Sequence, residues 1–333
     1  MTDKTARGVK AVADVLRGSD EFVVATHVLP DGDGVGALLA LGLGLTKLGS
    51  RVSMVLDDDT TVPSKYSFLP GAQAIRRSSD AEVKSPGYVF VAVDCADANR
   101  LGSAAKVAAQ AKKTVNIDHH PGNSFEADVN LVDEEAAASC TLVRAILNEL
   151  GVEFDKDIAT CLYAGIVTDT GRFQYANTTR ETLEMAAELL GYGLSPHRIF
   201  QEVYENSSFE NLKLLGDVLG RAEYIREVGL VYGVIRASDF TVAGVEIEET
   251  EYFIDYLRQV TGARVIALAK ELDDNSLRVS MRSKGEVDVG KLARAFGGGG
   301  HRQAAAFTST EKADAVLQRL IVALDQAHNA VTN

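Results

Sequence analysis

Short apolar runs alternate with longer stretches of helical period along the first half of the chain. EFVVATH, RVSMVL, YVFVAVD and KTVNID are rich in valine and isoleucine, and their length suits strands buried on both faces. Between them, GVGALLALGLGLTKLG and SAAKVAAQAKK repeat apolar positions at helical spacing. The alternation predicts an α/β fold, a doubly wound parallel sheet with crossover helices. Ligands of such sheets gather at the carboxyl ends of the strands.

Further along, TTRETLEMAAELLGYGL reads as a helix opened by a threonine cap, and SPHRIFQEVYENSSFENLKLLGDVLG as a helical connector. From there the pattern turns to hairpin-like strands in AEYIREVGLVYGVIRASDF, a helix in EIEETEYFIDYLRQV, and strands in ARVIALAKELDDNSLRVSMRS. The expected organisation is a catalytic domain over 1–195, a helical linker over 196–222 and a smaller α/β domain over 223–333. A length of 333 residues agrees with two cores rather than one.

Composition narrows the function. A net charge of -13 argues against a protein that wraps long nucleic acid, which needs a basic surface. The three cysteines, Cys95, Cys140 and Cys161, show no CxxC spacing and suit a reducing cytoplasm. The first residues, MTDKTARGVKAVADVLRG, have the pattern of an amphipathic helix rather than a signal sequence, so a soluble, cytoplasmic protein with no membrane partner is expected.

The expected strand ends carry the chemistry. The first ends in His27 and runs on to Asp31 and Asp33; the third ends at Asp94; the fourth ends in Asp118, His119 and His120. Asp169 closes the apolar run of CLYAGIVTDTGRFQY. Each aspartate taken singly reads as a turn former or helix cap, and Asp33 ahead of GVGALLAL is a plausible N-cap. Taken together they do not, because four of the six histidines, 27, 119, 120 and 301, fall in short glycine-flanked clusters. His197 and His328 read as structural or surface residues. Carboxylates mixed with imidazoles and without thiolates suit a first-row ion such as Mn²⁺, with Mg²⁺ or Co²⁺ as substitutes. Five carboxylates and three imidazoles exceed the needs of one ion, and two ions sharing a carboxylate would use them.

THVLPDGDGVG, VAVDCAD, NIDHHPGN and GIVTDTGRF resemble, in order, the successive motifs of the DHH phosphoesterase family. VSMRSKGEVDVGKLARAFGGGGHRQAAAF is similar to its companion DHHA1 domain, although Ala306 stands where the family usually has glycine. Length and layout match the bacterial group of oligoribonucleases that also dephosphorylate 3'-phosphoadenosine 5'-phosphate (pAp). The resemblance implies that His27 and Asp31 hold one metal, that Asp33, His119 and Asp169 hold the other, and that Asp94 bridges them. It implies that His120 faces the scissile phosphate and that Asp118 orients its neighbours, and it singles out Arg282, Ser283 and His301 as substrate contacts. The run 297–300 carries glycines where a phosphate can approach the backbone, so Gly298, Gly299 and Gly300 join the expected substrate site.

The expected activity is metal-dependent hydrolysis of short 5'-phosphorylated oligoribonucleotides and of pAp, in a cleft between the two domains. Short RNA, pAp or other small nucleotides are the expected partners, without long duplex nucleic acid, in a monomer or a homodimer. A cyclic di-AMP phosphodiesterase and a non-catalytic nucleotide-sensing module are the alternatives. A pyrophosphatase is weaker, because a nucleotide-type glycine lobe is superfluous for so small a substrate.

Overall fold

The computed structural model describes residues 2–83, 87–272 and 274–332, the last six of these in backbone only. The side chain of His328 therefore lies outside the described residues. The chain divides into two compact units, residues 1–206 and 207–333, with the division inside the expected linker. The three cysteines are buried and free. No helix among the described residues is long and apolar enough to cross a membrane.

The first unit is built on a six-stranded parallel sheet. Its strands are β1 (Glu21–Ala25), β2 (Arg51–Leu56), β3 (Arg76–Arg77), β4 (Val89–Val93), β5 (Lys113–Asp118) and β6 (Val129–Val132), in the spatial order β3-β2-β1-β4-β5-β6. The four expected strands are all present. The edge strands β3 and β6 are too short to stand out: β3 is two exposed arginines, and β6 has four residues, of which one is buried. The order reverses between β1 and β4, and such a switch point opens a crevice at the strand ends.

Val24 faces the larger core with Phe22, and Val23 faces the smaller one with Ala25, the period of two that a doubly covered strand requires. Helices Asp3–Arg17, Gly32–Lys47, Ser139–Glu149 and Lys156–Asp169 cover the larger core. Helix Gly32–Lys47 is buried almost all round, as its lack of a polar face demands. It meets helix Lys156–Asp169 at close range, since a Cβ on Gly36 would stand 2.6 Å from the Cys161 carbonyl oxygen. That approach brings Asp169, at the end of one helix, beside Asp33 at the start of the other.

The second unit holds a mixed six-stranded sheet. Its strands are β7 (Glu223–Ile225), β8 (Leu230–Ile235), β9 (Val265–Glu271), β10 (Leu277–Ser283), β11 (Gly299–Gly300) and β12 (Ala304–Ser309), in the order β11-β12-β10-β9-β8-β7. Ala267, Val279 and Met281 face helices Val289–Ala295 and Ala313–Thr332, while Ile266 and Leu268 face helices Phe209–Arg221 and Phe253–Leu257.

Two expected helices are shorter than their patterns. SAAKVAAQAKK yields only Ala104–Ala108, because β5 starts at Lys113 and the Lys112 N–H is already committed to the Tyr88 carbonyl at 3.0 Å. EIEETEYFIDYLRQV splits into a 3-10 turn at Ile247–Thr250 and the helix Phe253–Leu257. Tertiary donors reach its carbonyls: Lys270 Nζ contacts Ile247 O at 3.3 Å, and Asn211 Nδ2 contacts Glu249 O at 2.9 Å.

Candidate metal centre

His27 follows β1, Asp31 and Asp33 open helix Gly32–Lys47, Asp94 follows β4, and Asp118 ends β5 with His119 and His120 just beyond. Asp169 is the last residue of its helix. All lie in the first unit, at the switch-point end of the parallel sheet.

Asp94 is the shared member. It is 1% exposed, and its two oxygens serve different neighbours. Oδ2 lies 3.5 Å from His27 Nε2, while Oδ1 lies 3.7 Å from His119 Nε2 and 3.6 Å from His120 Nδ1. Asp94 belongs to three groups of convergent donor atoms, His27–Asp31–Asp94, Asp33–Asp94–His119 and Asp94–Asp118–His120, with Asp169 Oδ2 3.6 Å from His119 Nε2 beside the second.

The backbone aims these groups at a local cost. Asp94 has a φ of 55°, Leu29 one of 53°, Arg172 one of 64° and Phe173 one of 62°, all left-handed and all in loops that carry donor residues. Non-glycine residues in that region cost about 1 kcal/mol or more each, and such strain concentrates at functional sites.

The helix cap belongs to Asp31 rather than to Asp33. Asp31 Oδ1 accepts the N–H groups of Asp33 at 3.0 Å and Gly34 at 3.1 Å. Asp33 instead caps a different helix: Oδ2 accepts the Ser139 N–H at 2.5 Å and Oδ1 the Cys140 N–H at 2.9 Å. Ser139 Oγ donates to Asp94 Oδ1 at 3.0 Å. The start of helix Ser139–Glu149, with its positive dipole end, thus faces two buried carboxylates. Sequence reasoning missed Ser139, since the signal was only a buried serine at a helix start remote from every motif.

The imidazoles are oriented by their second nitrogens. His119 Nδ1 donates to the Ala136 carbonyl at 3.0 Å, and His27 Nδ1 lies 2.8 Å from the Val28 carbonyl, so each Nε2 faces carboxylates. His120 Nδ1 is 2.7 Å from Asp118 Oδ1, and the other Asp118 oxygen accepts from Asn123 Nδ2 at 2.6 Å. Asp118 is fully buried with both oxygens engaged, which fixes the ring of His120.

The electrostatics follow from crowding. Burial, with the charge of Asp94 adding to it, raises the Asp33 carboxyl well above its ordinary range. Burial pushes Asp169 up to about 6. For Asp94, burial acts upward, but the hydrogen bond from His27 and the charges of the three histidines outweigh it and hold its carboxyl low. Burial opposes charge on His119, yet Asp169, Asp33 and Asp94 push it up to about 10.

This donor set suits a divalent cation. The imidazole Nε2 atoms and carboxylate oxygens are the ligand types of a first-row divalent ion. The space is also kept open, because a Cβ on Gly34 would sit 3.3 Å from His27 Nε2 and 3.4 Å from Asp94 Oδ2.

Arg282, Ser283, Gly298, Gly299, Gly300 and His301 lie in the second unit, so the structure places them within another body than the metal donors. Arg282 Nη1 donates to the Met281 carbonyl at 3.0 Å, and its Nε is buried without a protein acceptor. Ser283 is 1% exposed, with Oγ 3.5 Å from the Arg302 carbonyl oxygen. Lys284 spends its ammonium on the Arg258 and Val260 carbonyls, at 2.8 and 2.9 Å. Packing accounts for most of the glycine run. Gly297 turns the chain at a φ of 82°, and a Cβ on Gly298 or Gly300 would collide with the backbone of β12. Gly299 alone in the run combines an ordinary φ with open space before it. Ala306, at the family's usual glycine, sits in β12 opposite Ser280 and Gly299.

Residues 21–166 match the DHH family, N-terminal domain, and residues 237–329 match the DHHA1 domain. The bifunctional oligoribonuclease and PAP phosphatase NrnA of Thermus thermophilus is 34% identical over 90% of this chain and 88% of its own length. The protein of the same name from Bacillus subtilis is 30% identical over 90% of this chain and 94% of its own. Among solved structures, an exopolyphosphatase-related protein from Bacteroides fragilis superposes with a TM-score of 0.87 at 21% identity, covering 98% of both chains.

Proposed function

The chain belongs to the DHH family of phosphoesterases and carries a DHHA1 domain, and from that premise we propose that it hydrolyses short 5'-phosphorylated oligoribonucleotides and pAp. The observation that carries the proposal is the Asp94 carboxylate, whose oxygens face two separate donor clusters. The activity named for both NrnA relatives supports the choice of substrate.

In this reading His27 and Asp31 would hold one Mn²⁺, Asp33, His119 and Asp169 would hold a second, and Asp94 would serve both. Mg²⁺ or Co²⁺ would substitute. When bound, such a pair supplies a hydroxide near neutrality and neutralises charge on the phosphoryl group. The protein contributes orientation. Asp118 holds the Nδ1 proton of His120 at 2.7 Å, which presents Nε2 of the half-buried ring to a phosphate oxygen. Ser139 and the start of its helix disperse charge from Asp94 and Asp33, so that these buried carboxylates stay in ligand geometry. In the second unit Arg282, with an unpartnered buried Nε, holds the nucleotide, together with His301, Ser283 and the backbone of 298–300.

Water adds to phosphorus as the bond to the sugar 3'-oxygen breaks, and the proton passes to that oxygen. From pAp this yields AMP and phosphate, and from pApA two AMP. Purified protein with Mn²⁺ should act on both, while a long oligonucleotide, cyclic di-AMP and pyrophosphate should be slower by at least about tenfold, the scale set by losing specific contacts. A preference for cyclic di-AMP or pyrophosphate would refute this assignment.

A further inference from the structure

We propose that Arg100 is a specificity residue that admits a dianionic phosphomonoester to this site beside the monoanionic phosphodiester; the proposal rests on the phosphoesterase reading above. Arg100 lies in the 3-10 turn Ala98–Leu101, a few residues beyond Asp94. Its carbonyl accepts the Val28 N–H at 2.7 Å, which ties this turn to the loop of His27. Its side chain reaches the same place: Nη2 is 3.0 Å from His27 Nδ1. The residue is half-buried, and among the described residues no carboxylate pairs with its guanidinium.

The contact with His27 is poor in the state the site requires. His27 Nε2 can bind a cation only through its lone pair, which leaves the ring proton on Nδ1, where the Val28 carbonyl at 2.8 Å receives it. Arg100 is a donor only and is always charged. Its Nη2 then points a proton at another proton and finds no acceptor there. An anion seated beside the His27–Asp94 cluster relieves both the repulsion and the unneutralised charge. A phosphate fits this description, because the planar guanidinium takes two of its oxygens at once.

The number of oxygens gives the specificity. A phosphodiester offers two non-bridging oxygens that share one charge, and bound cations would take both. A terminal phosphate carries about -1.5 to -2 near neutrality and has a third oxygen. Arg100 serves that extra oxygen and charge, so its loss falls on the monoester.

The test compares wild type with Arg100→Gln and Arg100→Lys as full chains loaded with Mn²⁺. In Arg100→Gln, kcat/KM for pAp should fall about 100-fold, mostly through KM, while pApA loses less than about tenfold. Arg100→Lys should recover part of the pAp loss. Inorganic phosphate, titrated calorimetrically into the loaded protein, should bind about tenfold more weakly to Arg100→Gln, with Mn²⁺ content and Tm unchanged. Equal losses on both substrates together with reduced Mn²⁺ content would mean that Arg100 merely positions His27, and would overturn the proposal. Undiminished pAp hydrolysis and phosphate binding would overturn it as well. A wild type inactive on both substrates would refute the substrate assignment instead, and the phosphate titration would still decide the role of Arg100.

Discussion

Asp33 accepts the backbone N–H of Ser139 at 2.5 Å, so a residue at the start of one helix caps another 106 positions along the chain. The same carboxylate lies 3.7 Å from His119 and is destabilised as an anion by burial and by Asp94. It therefore holds a proton more tightly than an ordinary carboxyl does. Asp33→Asn mimics that neutral form and loses one capping bond, two effects of opposite sign. Without metal its stability should stay within about 1 kcal/mol of wild type. Mn²⁺ should raise Tm strongly for wild type and much less for Asp33→Asn. Thermal melts with and without Mn²⁺ check this, and equal gains would remove Asp33 from the ligand set.

Metal binding should expel protons. Burial pushes the Asp169 carboxyl up to about 6, and Asp169, Asp33 and Asp94 push His119 up to about 10, both above their ordinary values. Raised values mean that the folded protein holds these protons more tightly, and a ligand atom must release its proton before it binds a cation. Affinity should thus be weak below pH 6 and climb as pH rises through neutrality. Calorimetry of Mn²⁺ binding in two buffers of different ionisation enthalpy measures the release directly. A pH-independent affinity would contradict these assignments.

Gly34→Ala tests the space itself. Alanine is the better helix former, yet its Cβ would stand 2.6 Å from Thr26 Oγ1 and 3.3 Å from His27 Nε2. The fold should survive, while activity falls by at least about tenfold through misplaced ligands. Mn²⁺ content and kcat measured on the same preparation separate a lost ion from a displaced one.

The two units should separate in their substrate dependence. Arg282→Ala should weaken action on pAp and pApA by about 100-fold through lost charge-assisted contacts. It should largely spare bis(p-nitrophenyl) phosphate, which has no 5'-phosphate to hold. His27→Ala should abolish both activities. Equal losses on the generic ester would place Arg282 in the chemical step.

The parts of this architecture legible in the sequence are those governed by local pattern. Valine-rich runs mark the central strands β1, β2, β4 and β5, and the ends of three of them, with the aspartate that closes a buried helix, mark the donor cluster. What escaped depends on distant partners. Nothing near Ser139 announces that its N–H groups meet Asp33. The helix expected over 246–260 breaks because Lys270, fully buried in another element, claims one of its carbonyls. Asp33 reads locally as a cap, but Asp31 takes that role, and the distinction lies in which oxygen meets which N–H. The glycine run reads as a ligand cradle, whereas β12 passing close behind Gly298 and Gly300 supplies a packing reason that no single segment reveals.

If Asp94 is shared by two cations, its loss must cost both bound ions and rate. The most direct measurement is Mn²⁺ per chain, by elemental analysis after loading and desalting, set against kcat for wild type and Asp94→Asn. Wild type should hold about two ions per chain, and Asp94→Asn should hold fewer while remaining folded, with kcat lowered by about 1,000-fold or more. Full wild-type activity with one ion or none, or an Asp94→Asn protein that keeps both ions and its rate, would contradict the account.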